Sequence, residues 1–107
     1  MKIQEIRQKV RRGEYEISFH AEKERYAEDI SIPEIETAIL NGEILEDYPT
    51  DPRGESCLIL GYSGGNAIHI VCGFTTLKSI RIITVYLPKP PKWIDEKTRK
   101  TKGESNA

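Results

Sequence analysis

The stretch SCLILGYSGGNAIHIVCGF, residues 56–74, decides the fold. Two runs rich in β-branched and apolar residues flank Ser63-Gly-Gly-Asn66, and glycine pairs of this kind mark tight turns between strands. A two-residue loop at Gly64-Gly65 sets Ser63 opposite Asn66. A four-residue loop sets Tyr62 opposite Ala67. Both give one register, with Leu60 against His69, Ile59 against Ile70 and Cys57 against Cys72. Side chains alternate across a strand. His69 therefore shares a face with Leu58, Leu60, Tyr62 and Val71, and the cysteines share the other with Ile59, Ile68 and Ile70.

Outward from the hairpin, EILEDY precedes it and SIRIITVYLP follows it, across the turn-forming segments PTDPRGE and TTLKS. Connections this short join antiparallel neighbours, because parallel strands need crossovers of a dozen residues. Upstream of Gly42 the apolar period is helical instead. Ile3, Ile6 and Val10 form one stripe, closed by Lys9, Arg11, Arg12 and Gly13. Tyr15 to Phe19 reads as a short extended segment. Ser18 can cap a charged surface helix from His20 to about Glu28. Ser31-Ile-Pro-Glu34 reads as a capping box for a helix over Ile32 to Asn41, with Ile30 and Ile35 as its hydrophobic staple. Gly42 is placed to end that helix in the left-handed conformation.

The expected class is α+β, with two or three N-terminal helices packed on a twisted antiparallel sheet of three to four strands. Pro88, Pro90 and Pro91 end the last strand, and Trp93 is expected to dock back. Residues 1–94 form one domain. Residues 95–107 read as a charged tail, disordered beyond Lys100.

With 107 residues the chain has room for one modest core. Its formal net charge of −1 gives no bulk attraction to nucleic acid or membranes. Two local basic runs stand out: Arg7 to Arg12, and Lys89, Lys92, Lys97, Arg99, Lys100 and Lys102. Either is a solvated surface or a hold for a phosphate backbone. No stretch approaches the ~20 apolar residues of a membrane span. MKIQEIRQKV lacks the apolar core of a signal peptide, so a cytoplasmic location is expected. Cys57 and Cys72 sit in apolar runs and read as buried, reduced thiols.

Proton transfer near neutral pH points to His20 and His69. His69 lies mid-strand in an apolar run, where a histidine is either a hydrogen-bonded core residue or a catalyst. His20 falls in the first turn of a helix, whose positive end favours the neutral ring, a usable base. Glu24, one turn later, is placed to orient it. Arg25, Arg53 and Arg81 are candidate phosphate clamps, Arg81 within an ordered strand. Lys92 belongs to the second basic run. Tyr86 ends the Arg81 strand, as a phosphate donor or a rim aromatic. No Walker loop, dinucleotide fingerprint, nucleophile elbow or metal-ligand motif is present, so neither metal nor cofactor is expected. Metal-free acid/base cleavage of RNA suits this set, because the 2′-hydroxyl supplies an internal nucleophile. Such a protein needs a base, an acid and a cation beside the phosphate.

The segments SFHAEKER, AILNGEILEDYP-D--G-SCLILGY, IHIVCG and IRIITVYLPKPPKW together resemble the small bacterial family catalogued as domain of unknown function 4258, over roughly residues 17 to 94. Members are often encoded beside a zinc-finger antitoxin of the MqsA type. The family is grouped with RelE-, BrnT- and MqsR-like toxins, which pack helices on a twisted antiparallel sheet. The resemblance implies an mRNA-cleaving ribonuclease with a zinc-finger antitoxin as partner, or a relative that has lost activity. The family's Ser-x-His-Ala motif matches Ser18, His20 and Ala21. Its sheet histidine matches His69, and its Thr-Val-Tyr matches Thr84, Val85 and Tyr86. Many members carry arginines four and eight residues after the first histidine, where this chain has Glu24 and Glu28 and where Arg25 is out of phase by one.

The leading expectation is a toxin-type, metal-independent endoribonuclease using His20, His69, Arg81 and Tyr86, with Arg25, Arg53 and Lys92 on the RNA. The competing one is a non-catalytic module that docks an antitoxin or another partner, and a third is a different activity altogether. His69, Arg81 and Tyr86 together beside an open groove would favour the enzyme. Burial of both histidines would favour the docking module.

Overall fold

A computed structural model describes residues 1–99. In it the hairpin forms in the expected register, with Leu60 opposite His69, Ile59 opposite Ile70 and Cys57 opposite Cys72. Gly64 and Gly65 turn it with φ of 58° and 82°, as a two-residue hairpin loop with two left-handed positions requires. Strands β3 (Ser56–Ser63) and β4 (Asn66–Phe74) are the centre of a five-stranded sheet. Before them in the chain come α1 (Ile3–Arg11), β1 (Tyr15–Ile17), α2 (Phe19–Ala27), α3 (Ile32–Leu40) and β2 (Glu43–Tyr48), and after them β5 (Ile80–Tyr86). The sheet order is β1-β5-β4-β3-β2.

The class is α+β, as expected, but the sheet has five strands and is mixed. Residues Tyr15 to Ile17 pair in parallel with Ile80 to Ile82. Short connections constrain only successive strands, and β1 is separated from β5 by most of the chain, so its direction is not set by a turn.

The face carrying Cys57, Ile59, Ile68, Ile70, Cys72, Ile80, Ile82 and Val85 is buried against Ile6, Val10, Ile35, Ala38 and Ile39 from α1 and α3. The two thiols are free and buried, with sulfurs 3.9 Å apart. Both halves of the Ser31–Glu34 capping box are present. Gly42 has a different purpose from the one expected: its φ is not left-handed, and α1 and α2 instead end on left-handed Gly13 and Asp29. A Cβ at Gly42 would lie 2.6 Å from the Ala38 carbonyl oxygen, and one at Gly61 would lie 1.8 Å from it. Both positions need glycine because the end of α3 rests directly on the sheet backbone.

Helix α2 runs beside β5 where β1 stops. Ser18 N–H donates to the Ile82 carbonyl at 2.9 Å. The Glu24 carboxylate then accepts from Val85 N–H at 3.1 Å and the Glu28 carboxylate from Leu87 N–H at 3.2 Å. Two helix carboxylates thus occupy strand-edge donors that would otherwise lack a ladder partner. Those are the two positions at which the family resemblance leads one to expect arginine.

A bulge sets the other face. Val71 pairs with Thr84 and Cys72 with Ile82, which leaves Ile83 as an extra residue in β5. Ile80 and Ile82 point into the core before it, and Val85 does so after it. Without the extra residue Tyr86 would take a core position; with it, Tyr86 stands opposite His69. The chain then turns through Pro88 to Pro91 and brings residues 93–99 back over this face, where Trp93 is buried as expected. The boundary drawn after residue 94 therefore falls inside a packed segment, since the backbone of Glu96 and the side chain of Arg99 bond to the sheet. The expected disorder beyond Lys100 lies outside the described residues. No helix among the described residues is long and apolar enough to cross a membrane.

Candidate functional site

The sheet face opposite α1 and α3 has two parts. One end is an open groove of about 600 Å³ lined by Ser18, His20, Tyr48, Asp51, Arg53, Ser56, Val71, Arg81 and Thr84, among others. The other end is closed by the returning segment.

Local sequence explains how His20 reaches the groove. Ser18 accepts the Ala21 N–H at 3.0 Å as the N-cap of α2 and donates its own hydroxyl to the Ile83 carbonyl at 3.0 Å. The helix start is thereby pinned at the β5 bulge. The His20 side chain, 68% exposed, lies with Nε2 3.4 Å from Glu24 Oε1. That same oxygen accepts the Val85 N–H, so the carboxylate facing the imidazole is fixed by the strand. Arg81, opposite Gly73, pairs with Glu16 at 3.1 Å with both side chains half exposed. Arg53 comes from the β2–β3 loop and contacts Asp51 at 3.3 Å while 88% exposed. Hydrogen bonds from the Arg53 backbone and side chain hold the Asp51 carboxyl below its usual range. Pairs this exposed are worth about 0–1 kcal/mol, so an anionic ligand can displace them.

The closed end is built around His69. Its Nε2 lies 2.7 Å from the Glu96 carbonyl oxygen, which can only accept, so Nε2 carries the proton. Nδ1 is then an acceptor and takes the Tyr86 hydroxyl at 3.2 Å. The Tyr86 oxygen in turn accepts Trp93 Nε1–H at 3.2 Å. The indole meets the imidazole edge-on, with centroids 4.4 Å apart, and Arg99 covers the indole at 4.5 Å. Arg99 also forks onto the Glu46 carboxylate at 2.8 and 3.3 Å. Every polar atom of His69, Tyr86 and Trp93 is used. Burial holds the His69 pKa below its ordinary value and pushes the Tyr86 hydroxyl up. Burial and the hydrogen bond to Glu46 push Tyr48 up to about 12.

The four residues expected to form one catalytic set therefore divide. His20 and Arg81 line the groove, and Arg53 joins them. His69 and Tyr86 lie under the closing segment. Arg81 sits opposite Gly73, four residues along β4 from His69, or about 13 Å at the usual rise per residue. Arg25 is away from both regions: it bonds to Glu22 and to the Ile30 carbonyl, and lies over the Tyr26 ring. Lys92 is exposed in the returning segment and is not among the groove residues. Tyr48, Asp51 and Ser56 are polar groove residues that no motif or spacing singles out, and Thr84, matched by the family's Thr-Val-Tyr, joins them there. The Glu46–Arg99 fork is equally silent in the sequence, because its partners are 53 residues apart. Among the described residues no group of three or more His, Cys, Asp or Glu side chains is placed to hold a metal ion.

No curated protein and no solved structure matches the chain. One family model does, over residues 17–87, a span that includes His20, Arg53, His69, Arg81 and Tyr86 but stops short of Trp93 and the returning segment. With more than half of its length matched, the chain belongs to the family described as domain of unknown function DUF4258.

Proposed function

We propose that the chain is a toxin-type endoribonuclease that works by acid/base chemistry without a metal ion, on RNA in the cytoplasm, and that a cognate zinc-finger antitoxin restrains it. One observation carries this reading: His20, Arg53 and Arg81, from three separate parts of the chain, line one open groove. In this scheme the His20 ring takes the proton of a ribose 2′-hydroxyl as its oxygen attacks phosphorus. The bond to the 5′-oxygen breaks, and that oxygen takes a proton from solvent water or from the His20 imidazolium. The products are a 2′,3′-cyclic phosphate and a 5′-hydroxyl. Arg81 and Arg53 exchange Glu16 and Asp51 for the phosphoryl oxygens, whose charge they match bidentately. Glu24 orients His20 and stabilises its imidazolium once formed. His69 and Tyr86 serve the architecture of the closed end.

The test is incubation of the purified protein with single-stranded RNA in the presence of EDTA, with and without ribosomes. Cleavage is expected to give cyclic-phosphate ends. His20→Ala is expected to lower the rate at least ~100-fold, the usual scale for an acid/base group. Intact RNA under every condition favours the second reading, a docking module for an antitoxin or other protein. Its specific support is that both groove arginines already carry carboxylate partners, so the groove is less cationic than its arginine count suggests.

A further inference from the structure

Helix α2 presents an aromatic face beside the groove. Phe19 is 78% exposed and Tyr26 is 73% exposed, large values for aromatic side chains on an ordered helix. They are seven residues apart, two helical turns, so they share a face about 10.5 Å long. Lys23 lies between them with Nζ 5.0 Å from the Phe19 ring centroid, and Arg25 sits 4.7 Å from the Tyr26 ring. The acidic residues of α2 are committed elsewhere: Glu24 and Glu28 to β5, and Glu22 to Arg25. Glu22 neutralises Arg25 in turn, so the free charge of this aromatic face is Lys23, which has no ion-pair partner among the described residues. Phe19 stands between Ser18 and His20, which both line the groove, so the stripe begins at the groove edge.

We propose that Phe19, Lys23 and Tyr26 form a stacking platform for unpaired bases of single-stranded RNA whose backbone lies in the adjacent groove. The chemistry matches on both counts. Every base offers a π-face to an aromatic ring, and Lys23, placed between the two rings, is the cation free to meet a phosphate. Paired bases are unavailable for such stacking, so the platform selects single strands over duplex. The proposal rests on the reading of the groove as a phosphodiester site, and deepens it by naming the form of RNA bound.

The test is fluorescence anisotropy with a labelled single-stranded oligoribonucleotide and with a duplex of equal length, at one fixed salt concentration. The wild type should prefer the single strand. The double variant Phe19→Ala/Tyr26→Ala should bind it at least ~10-fold more weakly, since stacking on each aromatic contributes measurably to affinity. Phe19→Tyr/Tyr26→Phe should bind like the wild type. Both residues are exposed, so each variant should keep the wild-type circular dichroism and unfolding midpoint. Unchanged single-strand affinity in the alanine variant, or equal wild-type affinity for the duplex, overturns the platform and leaves the groove reading standing. Absence of wild-type binding to either RNA overturns both.

Discussion

His20 and His69 lie on the same side of one β-sheet and are opposite in every physical respect. His20 stands in an open groove with one ring nitrogen facing a fixed carboxylate. His69 is fully buried, and both its nitrogens are committed, one to the Glu96 backbone and one to Tyr86. Reactivity requires access and an unspent valence, and only the groove histidine has both. The closed end illustrates the opposite use of polar residues. There an imidazole, a phenol and an indole form a chain in which each donor meets one acceptor, so a polar cluster is buried without an unsatisfied group. The segment that seals it comes from beyond the matched family region, so the chain's own C-terminal part decides how much of this sheet face remains open.

The contrast is broken most severely at Trp93. It is fully buried, and Trp93→Ala should cost about 3–5 kcal/mol if the returning segment unfolds together with the sheet. Denaturant unfolding followed by far-ultraviolet circular dichroism measures this. A midpoint close to the wild type would mean that the closing segment contributes nothing to sheet stability, and that His69 is sealed only loosely.

Acid acts on the closed end through His69. The folded protein holds His69 at a pKa below its unfolded value of 6.5, chiefly because burial penalises the charged ring. Below that value the unfolded chain binds a proton that the folded chain resists, so stability falls as pH falls and is regained as pH rises. The fluorescence of Trp93, the only tryptophan, reports the transition. Between about pH 7 and pH 5 the wild-type unfolding midpoint should drop, and His69→Gln should drop less over the same interval. Parallel behaviour of the two proteins would show that His69 takes up its proton without disturbing the closed end.

The smallest effect is expected far from both histidines. Ser31 accepts the Glu34 N–H at 3.2 Å and its own N–H donates to the Glu34 carboxylate at 2.9 Å. Ser31→Ala should destabilise the domain by about 1 kcal/mol and leave both ends of the sheet face unaltered. A change in RNA cleavage from this substitution would mean that the groove depends on helix α3, against its placement on the opposite face of the sheet.

What could be read from the sequence was local. The hairpin register followed from the sum rule of a symmetric turn, and the Ser31 cap from four adjacent residues. Strand β1 reads only as an extended segment, because three residues carry no period and their partner lies 65 residues away. The bulge at Ile83 shows in the sequence only as the doublet Ile82-Ile83, which breaks the alternation without saying which residue is extra. That bulge nevertheless decides that Tyr86 meets His69. Arg53, His20 and Arg81 were each plausible phosphate or proton groups by residue type. Their meeting in one groove is a product of sheet order, and no spacing encodes it. Glu24 and Glu28 looked like missing cations; their service to the β5 edge depends on α2 replacing β1 halfway along that strand.

The most direct measurement compares RNA cleavage by His20→Ala and His69→Gln, with buried-tryptophan emission from Trp93 used to show that each variant is folded. If the open end of the sheet carries the chemistry, His20→Ala loses at least ~100-fold in rate while folded His69→Gln cleaves near the wild-type rate. Loss of cleavage in a folded His69→Gln protein, with His20→Ala still active, would contradict this and place the reacting groups beneath the closing segment.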